Sequence, residues 1–197
     1  MVVMVVMVRH GTTVTESRGL CHHAQMTLSR LTALADRIDR LNTAIGHSVA
    51  WLALAIVLLQ FALVVLRYVF DAGSIWLAES VIYAHATLFL LAAAWTLREG
   101  GHVRVDIFYV DAAPRCKALI DLCGAVFLLL PFTLVLLWLS LPYAQRSWAI
   151  LERSQETSGI PAVFLLKSLI PLFALLLALQ GVAQAIRAAA VLRAPAS

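Results

Sequence analysis

Four long apolar runs constrain this chain more than any other feature of its sequence. A helix needs about 20 mainly apolar residues to cross about 30 Å of hydrocarbon, since each residue rises only about 1.5 Å. The runs that meet this requirement are Ile45–Leu66, Val81–Leu97, Ala118–Leu141 and Ala162–Ile186. The second run is short, and Ile75–Leu77 extends it. We therefore predict an all-α integral membrane protein with four transmembrane helices.

The composition agrees with lipid as the solvent. The chain is 62% apolar and 13% charged, whereas a soluble domain averages about 45–50% apolar and about 25% charged. Its formal net charge of +4 does not indicate nucleic-acid binding, because the basic residues flank the apolar runs and form no single patch. Membrane lipid is the partner that this placement favours.

The positions of Lys and Arg predict an orientation. One side of the predicted topology carries most of them, namely Arg30, Arg37, Arg40, Arg98, Arg104, Arg115, Lys117, Arg187 and Arg193. The other side has only Arg67, Arg146 and Arg153. Because cytoplasmic loops are enriched in basic residues, we predict a multi-pass protein of a bacterial inner (cytoplasmic) membrane with both termini in the cytoplasm.

The segment before the first run has a helical repeat. Leu31, Leu34, Ile38 and Leu41 recur at helical spacing, and charged residues occupy the positions between them. This pattern predicts a short amphipathic interfacial helix at residues 26–43, with an extension of the first span as the alternative. Residues 1–25 are interpreted as a disordered or mis-annotated extension, with translation starting at Met26. Residues 44–192 then form the transmembrane domain and residues 193–197 a tail.

No motif in the chain predicts a catalytic, metal or cofactor site. Arg9–Thr12 matches a histidine-phosphatase element, but such a site needs a soluble α/β domain that the chain does not offer. Cys21–His23 lacks the four spaced ligands of structural zinc. The chain is therefore predicted not to be an enzyme.

Polar residues inside the runs are more informative, since they are costly in a membrane. Lys167 either extends its amine to the interface or pairs with Glu79 or with a carboxylate of a partner protein. Gln60 and His85 are candidates for hydrogen bonds between helices.

The turn after the first run and the segment after the third carry further candidates. Glu79 is expected to open the second helix and to pair with Arg67, while Tyr68 and Trp76 suit the lipid headgroup region. Tyr143–Glu156 is expected to continue the third helix outward until Gly159 ends it.

The turn after the second run is rich in glycine. Gly100 is expected to end the second helix. Beyond it, His102, Arg104 and Asp106 alternate with valines, which places three polar groups on one side of an extended piece. This piece is either an ordinary anchored loop or a docking element.

These turns resemble those of one family, the small membrane subunit (DctQ type) of tripartite ATP-independent periplasmic (TRAP) transporters. The family shows an Arg-Tyr pair ending its first span, then Trp and Glu, then a Gly-x-His-x-x-x-Asp-like element. The chain carries these elements as Arg67-Tyr68, Trp76 with Glu79, and Gly100 with His102 and Asp106. The resemblance extends over about Leu31–Leu192 and includes the later segment Ser154–Pro161, which contains Glu156 and is followed by Lys167. Arg153 directly precedes this segment.

The resemblance implies a role without catalysis. Such a subunit packs against a large membrane subunit (DctM type) and braces it. It also helps to receive a periplasmic substrate-binding protein, during uptake of a solute, usually a carboxylate, driven by an ion gradient. The outer turn and the 143–156 segment are then expected to dock the binding protein. The alternatives are a self-sufficient four-span channel or small transporter, a membrane-embedded enzyme and a membrane assembly factor.

Overall fold

The computed structural model describes residues 11–101, 109 and 112–193, and the regular structure within them is entirely helical. The helices are α1 (Gly11–Val69), α2 (Ile75–Arg98), α3 (Pro114–Cys123), α4 (Leu130–Ala149) and α5 (Val163–Arg193), and a π-helical segment, Gly124–Leu129, joins α3 to α4. We refer to Pro114–Ala149 as the third span. With α1, α2 and α5 it gives four helices long and apolar enough to cross a membrane, which confirms the predicted fold class.

Residues 31–42 form part of the long helix α1 and are continuous with the first span, while their place at the membrane surface stays a prediction. The side of this segment that packs inside the protein is not centred on its leucines. Ala35 and Ile38 are buried against Ala183 of α5, while Leu34 and Leu41 stay exposed. Small and polar side chains on the adjoining face are what allow α1 to approach α5 closely.

Helix α5 lies at the centre of the bundle. It packs against α1, α2 and every part of the third span, whereas the third span makes no close backbone approach to α1 or α2 in the described residues. Small buried residues on α5 permit this, among them Ala174, Gly181 and Ala183. At Gly181 an added Cβ would lie 2.9 Å from Leu129 Cδ2, so only glycine fits without movement.

The π-helical segment is explained by the proline that follows it. Pro131 has no N–H to donate, and its ring crowds the carbonyl of Phe127 four residues earlier. The helix widens directly upstream, where the N–H of Leu130 bonds the carbonyl of Ala125. A single wide turn of this kind accommodates the proline without breaking the span.

The end of α2 follows the glycine prediction. The helix stops at Arg98, and Gly100 has φ +69°, in the left-handed region that glycine adopts at little cost. The N–H of Gly101 bonds the carbonyl of Thr96 at 2.9 Å and the N–H of Gly100 bonds that of Leu97 at 3.1 Å. This is the Schellman pattern, which satisfies carbonyls left over at a helix end.

The third span ends earlier than predicted. We expected helix to Glu156, but α4 ends at Ala149 with the same Schellman pattern, here built on Leu151 at φ 45°. Glu152 N–H bonds the carbonyl of Ser147 at 3.0 Å. Leucine at a left-handed position carries no sequence signal for a helix end, which is why the prediction was wrong and why residues 150–162 form a loop rather than an outward arm.

The contact of α1 with α2 predicts a large effect of one methyl group. A Cβ added at Gly46 would lie 2.6 Å from Cβ of Trp95, so Gly46→Ala must separate the two helices. We expect a loss of about 1–3 kcal/mol in stability, measured as a lower melting temperature of the detergent-purified protein. The matched control is Gly124→Ala, whose Cβ would meet nothing within 4 Å. Equal melting temperatures for the two variants would contradict this packing.

Candidate functional site

Polar contacts concentrate at the two ends of the helical bundle. One end holds residue 39 of α1, the C-terminus of α2, the N-terminus of α3 and the C-terminal part of α5, and we call it the Asp39 end. The opposite end holds the α1–α2 turn and loop 150–162, and we call it the Glu79 end. Between them run the apolar parts of the four spans.

At the Asp39 end, one buried carboxylate joins three helices. Asp39 is 5% exposed and forms ion pairs with Arg187 of α5 and, at 3.5 Å, with Arg98 of α2. Asp36, an exposed residue three positions earlier on α1, accepts from the second amino group of Arg187 at 2.9 Å. A buried carboxylate stays ionised only with such partners, so we call this cluster the Asp39 network.

The network continues into the bundle through amides. Gln180 Nε2 donates to Asp39 Oδ1 at 2.9 Å, and Gln180 Oε1 accepts from Asn42 Nδ2 at 2.7 Å. Gln180 and Asn42 are the largest fully buried polar side chains. Paired amides of this kind fix the register of α1 on α5, because any slip would leave buried polar groups unbonded.

At the Glu79 end, a carboxylate holds loop 150–162 against α2. Glu79 Oε1 accepts from the hydroxyl of Ser154, and Oε2 accepts from the backbone N–H of Ile160 at 2.5 Å. The predicted pair with Arg67 is not formed. Glu79 also does not open its helix, which begins at Ile75 after the N-cap Ser74.

Lys167 forms the second contact at this end. Its amine pairs with Glu152 Oε2 at 2.5 Å and lies 4.4 Å from the ring centre of Tyr143. The carboxylate that pairs with Lys167 is therefore Glu152 of the same chain and not the predicted Glu79. Hydrogen bonding from Lys167 lowers the pKa of Glu152 below its ordinary value. The contact therefore contributes at neutral pH and is lost as acid protonates Glu152.

The remaining motif residues do not converge on one site. Gly100 has the helix-ending role described above. At the Glu79 end, the side chains of Arg67, Tyr68, Trp76, Arg153 and Glu156 are exposed. His102 and Asp106 lie outside the described residues. In the part of the chain that the structure describes, no group of three or more His, Cys, Asp or Glu is placed to hold a metal ion.

Two polar side chains in the middle of the spans are exposed. Gln60 of α1 and His85 of α2 face outward, and neither forms a hydrogen bond or ion pair with any described residue. The described helices of this chain therefore do not form these bonds with each other, and interhelical bonding by the two residues stays a prediction. Exposed apolar residues continue the same helix faces, namely Val57, Phe61 and Val64 on α1 and Ile82 and Phe89 on α2. We call these residues with Gln60 and His85 the mid-span face.

Sequence reasoning missed the Asp39 network. Asp39 was assigned to the solvated side of an amphipathic helix, and Arg98 and Arg187 were read only as flanking charges. The available signal was Gln180, a polar residue deep in the fourth run, which needed a buried partner.

Comparison with known proteins gives this architecture its class. The profile of the family described as "Tripartite ATP-independent periplasmic transporters, DctQ component" matches residues 56–191. A "C4-dicarboxylate TRAP transporter small permease protein DctQ" of Vibrio cholerae serotype O1 (strain ATCC 39315 / El Tor Inaba N16961) is 29% identical over 149 residues. The match covers 73% of this chain and 59% of the relative. No solved structure matches the chain.

The protein is thus a multi-pass membrane protein of the transporter class. It belongs to the DctQ family of TRAP transporter small permease subunits, as the turn motifs indicated. The profile match begins at Ile56, so Asp39 and Asn42 lie outside it, while Arg98, Gln180 and Arg187 lie within it.

The Asp39 network predicts unequal effects for two carboxylates on one helix. Asp39→Ala removes one acceptor from Arg98, one from Arg187 and the acceptor of the buried Gln180 amide, so we expect a loss of about 2 kcal/mol or more. Asp36→Ala removes an exposed contact to the same Arg187 and should cost less than about 1 kcal/mol. Thermal unfolding of both variants in the same detergent measures this difference. A larger effect at Asp36 would contradict the network.

The Glu79 contact predicts the protease sensitivity of loop 150–162. Glu79→Ala removes both acceptor oxygens, so neither the Ser154 nor the Ile160 contact can form. We expect trypsin to cut after the exposed Arg153 several-fold faster in this variant, measured on the detergent-purified protein by gel and mass. Glu156→Ala is the control, because its exposed side chain does not hold the loop. Equal cutting rates in the two variants would show that Glu79 does not anchor it.

Proposed function

We propose that this chain is a non-catalytic bracing subunit. In this proposal its mid-span face packs against the large membrane subunit (DctM type) of a TRAP transporter. Its Glu79 end helps to receive a periplasmic substrate-binding protein, and the chain has both termini in the cytoplasm of the inner membrane. The solute is a carboxylate, taken up with an ion gradient, and the name of the Vibrio relative, a C4-dicarboxylate transporter subunit, supports that class.

The observation that carries the proposal is the exposure of Gln60 and His85. A polar side chain facing lipid in the middle of a span has no water or partner to bond, and this is costly. Such residues are tolerated where another protein covers them. A large polytopic partner with polar groups at the same depth meets this need.

The two residues lie at matching depths. Gln60 precedes the end of α1 at Val69 by nine residues, and His85 follows the start of α2 at Ile75 by ten. At about 1.5 Å per residue, both lie roughly 14–15 Å from the Glu79 end. One partner surface can therefore supply hydrogen-bonding groups to both.

The contacts at both ends support a bracing role. The Asp39 network joins α1, α2 and α5, and the Glu79 contact joins α2 to the loop between α4 and α5. Helices tied at both ends keep one arrangement, as a stationary scaffold requires. The spans described here show no pair of broken helices with facing polar ends, the feature that forms the transport site in many secondary transporters.

The exposed charges at the Glu79 end support docking of a soluble protein. Arg153 and Glu156 lie in the loop that Glu79 holds in place, and Arg67 lines a cavity of about 410 Å³ beside the α1–α2 turn. A pre-ordered loop with exposed charges of both signs favours a specific yet reversible contact.

The experiment places substitutions on the mid-span face and measures assembly and uptake in the same cells. We expect Gln60→Trp with His85→Trp to reduce severalfold the amount of large subunit recovered with the tagged chain from mild detergent. The control is Leu134→Trp with Leu139→Trp, at exposed positions of the third span. Loss of the partner with the control pair alone would place the interface on the third span and overturn the assignment.

Solute uptake, measured in the same cells, tests the docking role. Arg153→Glu should lower solute uptake while leaving the recovery of the large subunit unchanged, because the interface with the binding protein is separate. Arg37→Glu, an exposed reversal on α1 at the Asp39 end, is the control. Unchanged uptake with Arg153→Glu would contradict the docking role. A chain that purifies without any large partner would contradict the whole proposal and favour the self-sufficient channel.

A further inference from the structure

A cavity of about 440 Å³ opens at the Asp39 end between α2, the start of α3 and the end of α5. Three cationic side chains line it, Arg98, Lys117 and Arg187. The comparisons and the motifs give this cavity no role, and bracing does not require it. The other side chains of its wall indicate which ligand it fits.

The three cations lie at one level of the membrane. Arg98 directly follows the apolar run of the second span, Lys117 directly precedes that of the third, and Arg187 directly follows that of the fourth. The boundary of each run is where hydrocarbon gives way to phospholipid headgroups. The cavity therefore lies at headgroup depth.

The guanidinium groups of Arg98 and Arg187 are held by carboxylates on the α1 side. Asp36 and Asp39 line a neighbouring cavity on the α1 side, which shares Arg98 and Arg187 with the first. Their carboxylates fix the two arginines there without entering the α3-side cavity. An arginine has five N–H donors in a rigid fork, and the contacts of Arg98 with Asp39, Glu99 and Thr43 and of Arg187 with Asp36 and Asp39 use only some of them. Both arginines also line the α3-side cavity together with Lys117.

The rest of the wall separates into a polar and an apolar part. The wall contains one carboxylate, Asp121, which accepts a hydrogen bond from the hydroxyl of Tyr109 at 2.8 Å, so the cationic side chains of the wall outnumber its carboxylate three to one. Pro114, Ala118, Ala188 and Val191 supply apolar surface. Pro114 also begins α3, so the positive end of that helix dipole adds to the field.

From this arrangement we propose that the cavity binds the phosphate of an anionic phospholipid, with its acyl chains along the apolar wall between α3 and α5. A free phosphate ion uses the cations but not the apolar wall. A neutral apolar molecule uses the wall but gains nothing from the cations. This inference does not depend on the proposed function, since the site belongs to this chain alone.

The test measures lipid binding to the full-length, delipidated chain by native mass spectrometry, with phosphatidylglycerol as the probe. Lys117→Gln removes the cation that takes no part in the Asp39 network, and we expect binding to weaken about fivefold, as for one cation at a membrane surface. Arg193→Gln is the matched control, because it removes an equal charge at the same end but does not line the cavity. We expect it to bind like the wild type.

A second variant tests the apolar wall. Val191→Trp fills the cavity from an exposed position and should weaken binding at least as much, whereas Leu175→Trp, equally exposed on α5 but outside the cavity, should not. Unchanged melting temperatures verify that all four variants are folded.

Three results would each overturn the proposal. The first is equal affinity of Lys117→Gln and Arg193→Gln for phosphatidylglycerol. The second is binding of phosphatidylcholine as tight as that of phosphatidylglycerol, which would mean that the cavity does not recognise the net negative charge of the lipid. The third is displacement of the lipid by inorganic phosphate at equal concentration, which would identify free phosphate as the ligand.

Discussion

The arrangement of this protein depends on one buried carboxylate. An ionised carboxylate removed from water costs several kcal/mol unless cations and hydrogen-bond donors surround it. Asp39 meets this requirement only where α2 brings Arg98 and α5 brings Arg187 and Gln180 to the same depth. Three helices are therefore fixed in register at one end, in a medium where apolar side chains alone give neighbouring helices little reason to prefer one register.

The other features of the fold follow from that constraint. Arg98 is the last residue of α2, and its position depends on Gly100 ending the helix directly after it. The third span has no contact with Asp39 and instead packs on the small face of α5 around Gly181. Its wide turn before Pro131 keeps Leu129 against that face, so the proline is accommodated where the packing is closest.

The spans could be predicted because their cause is local. The number of apolar residues decides whether a segment crosses a membrane, and Gly100 ends a helix through its own backbone freedom. Asp39 shows what local reasoning misses, because its partners lie 59 and 148 positions further along the chain. The sequence around Asp39 predicts a solvent-exposed helix face equally well. Leu151 shows the same limit in the backbone, since a leucine in the left-handed region is imposed by the fold of loop 150–162.

The core side of residues 31–42 also bears on partners. The leucines of the apolar stripe stay exposed, whereas the core side of α1 carries Ala35, Ile38, Asp39 and Asn42. In a membrane the apolar stripe is the default and the polar residue marks the contact. The proposed function applies the same rule to Gln60 and His85, which are polar, exposed and similar in depth, and takes their face as the contact with a partner. Under the proposed function, the two ends hold this chain in one shape and its middle is left for the larger subunit.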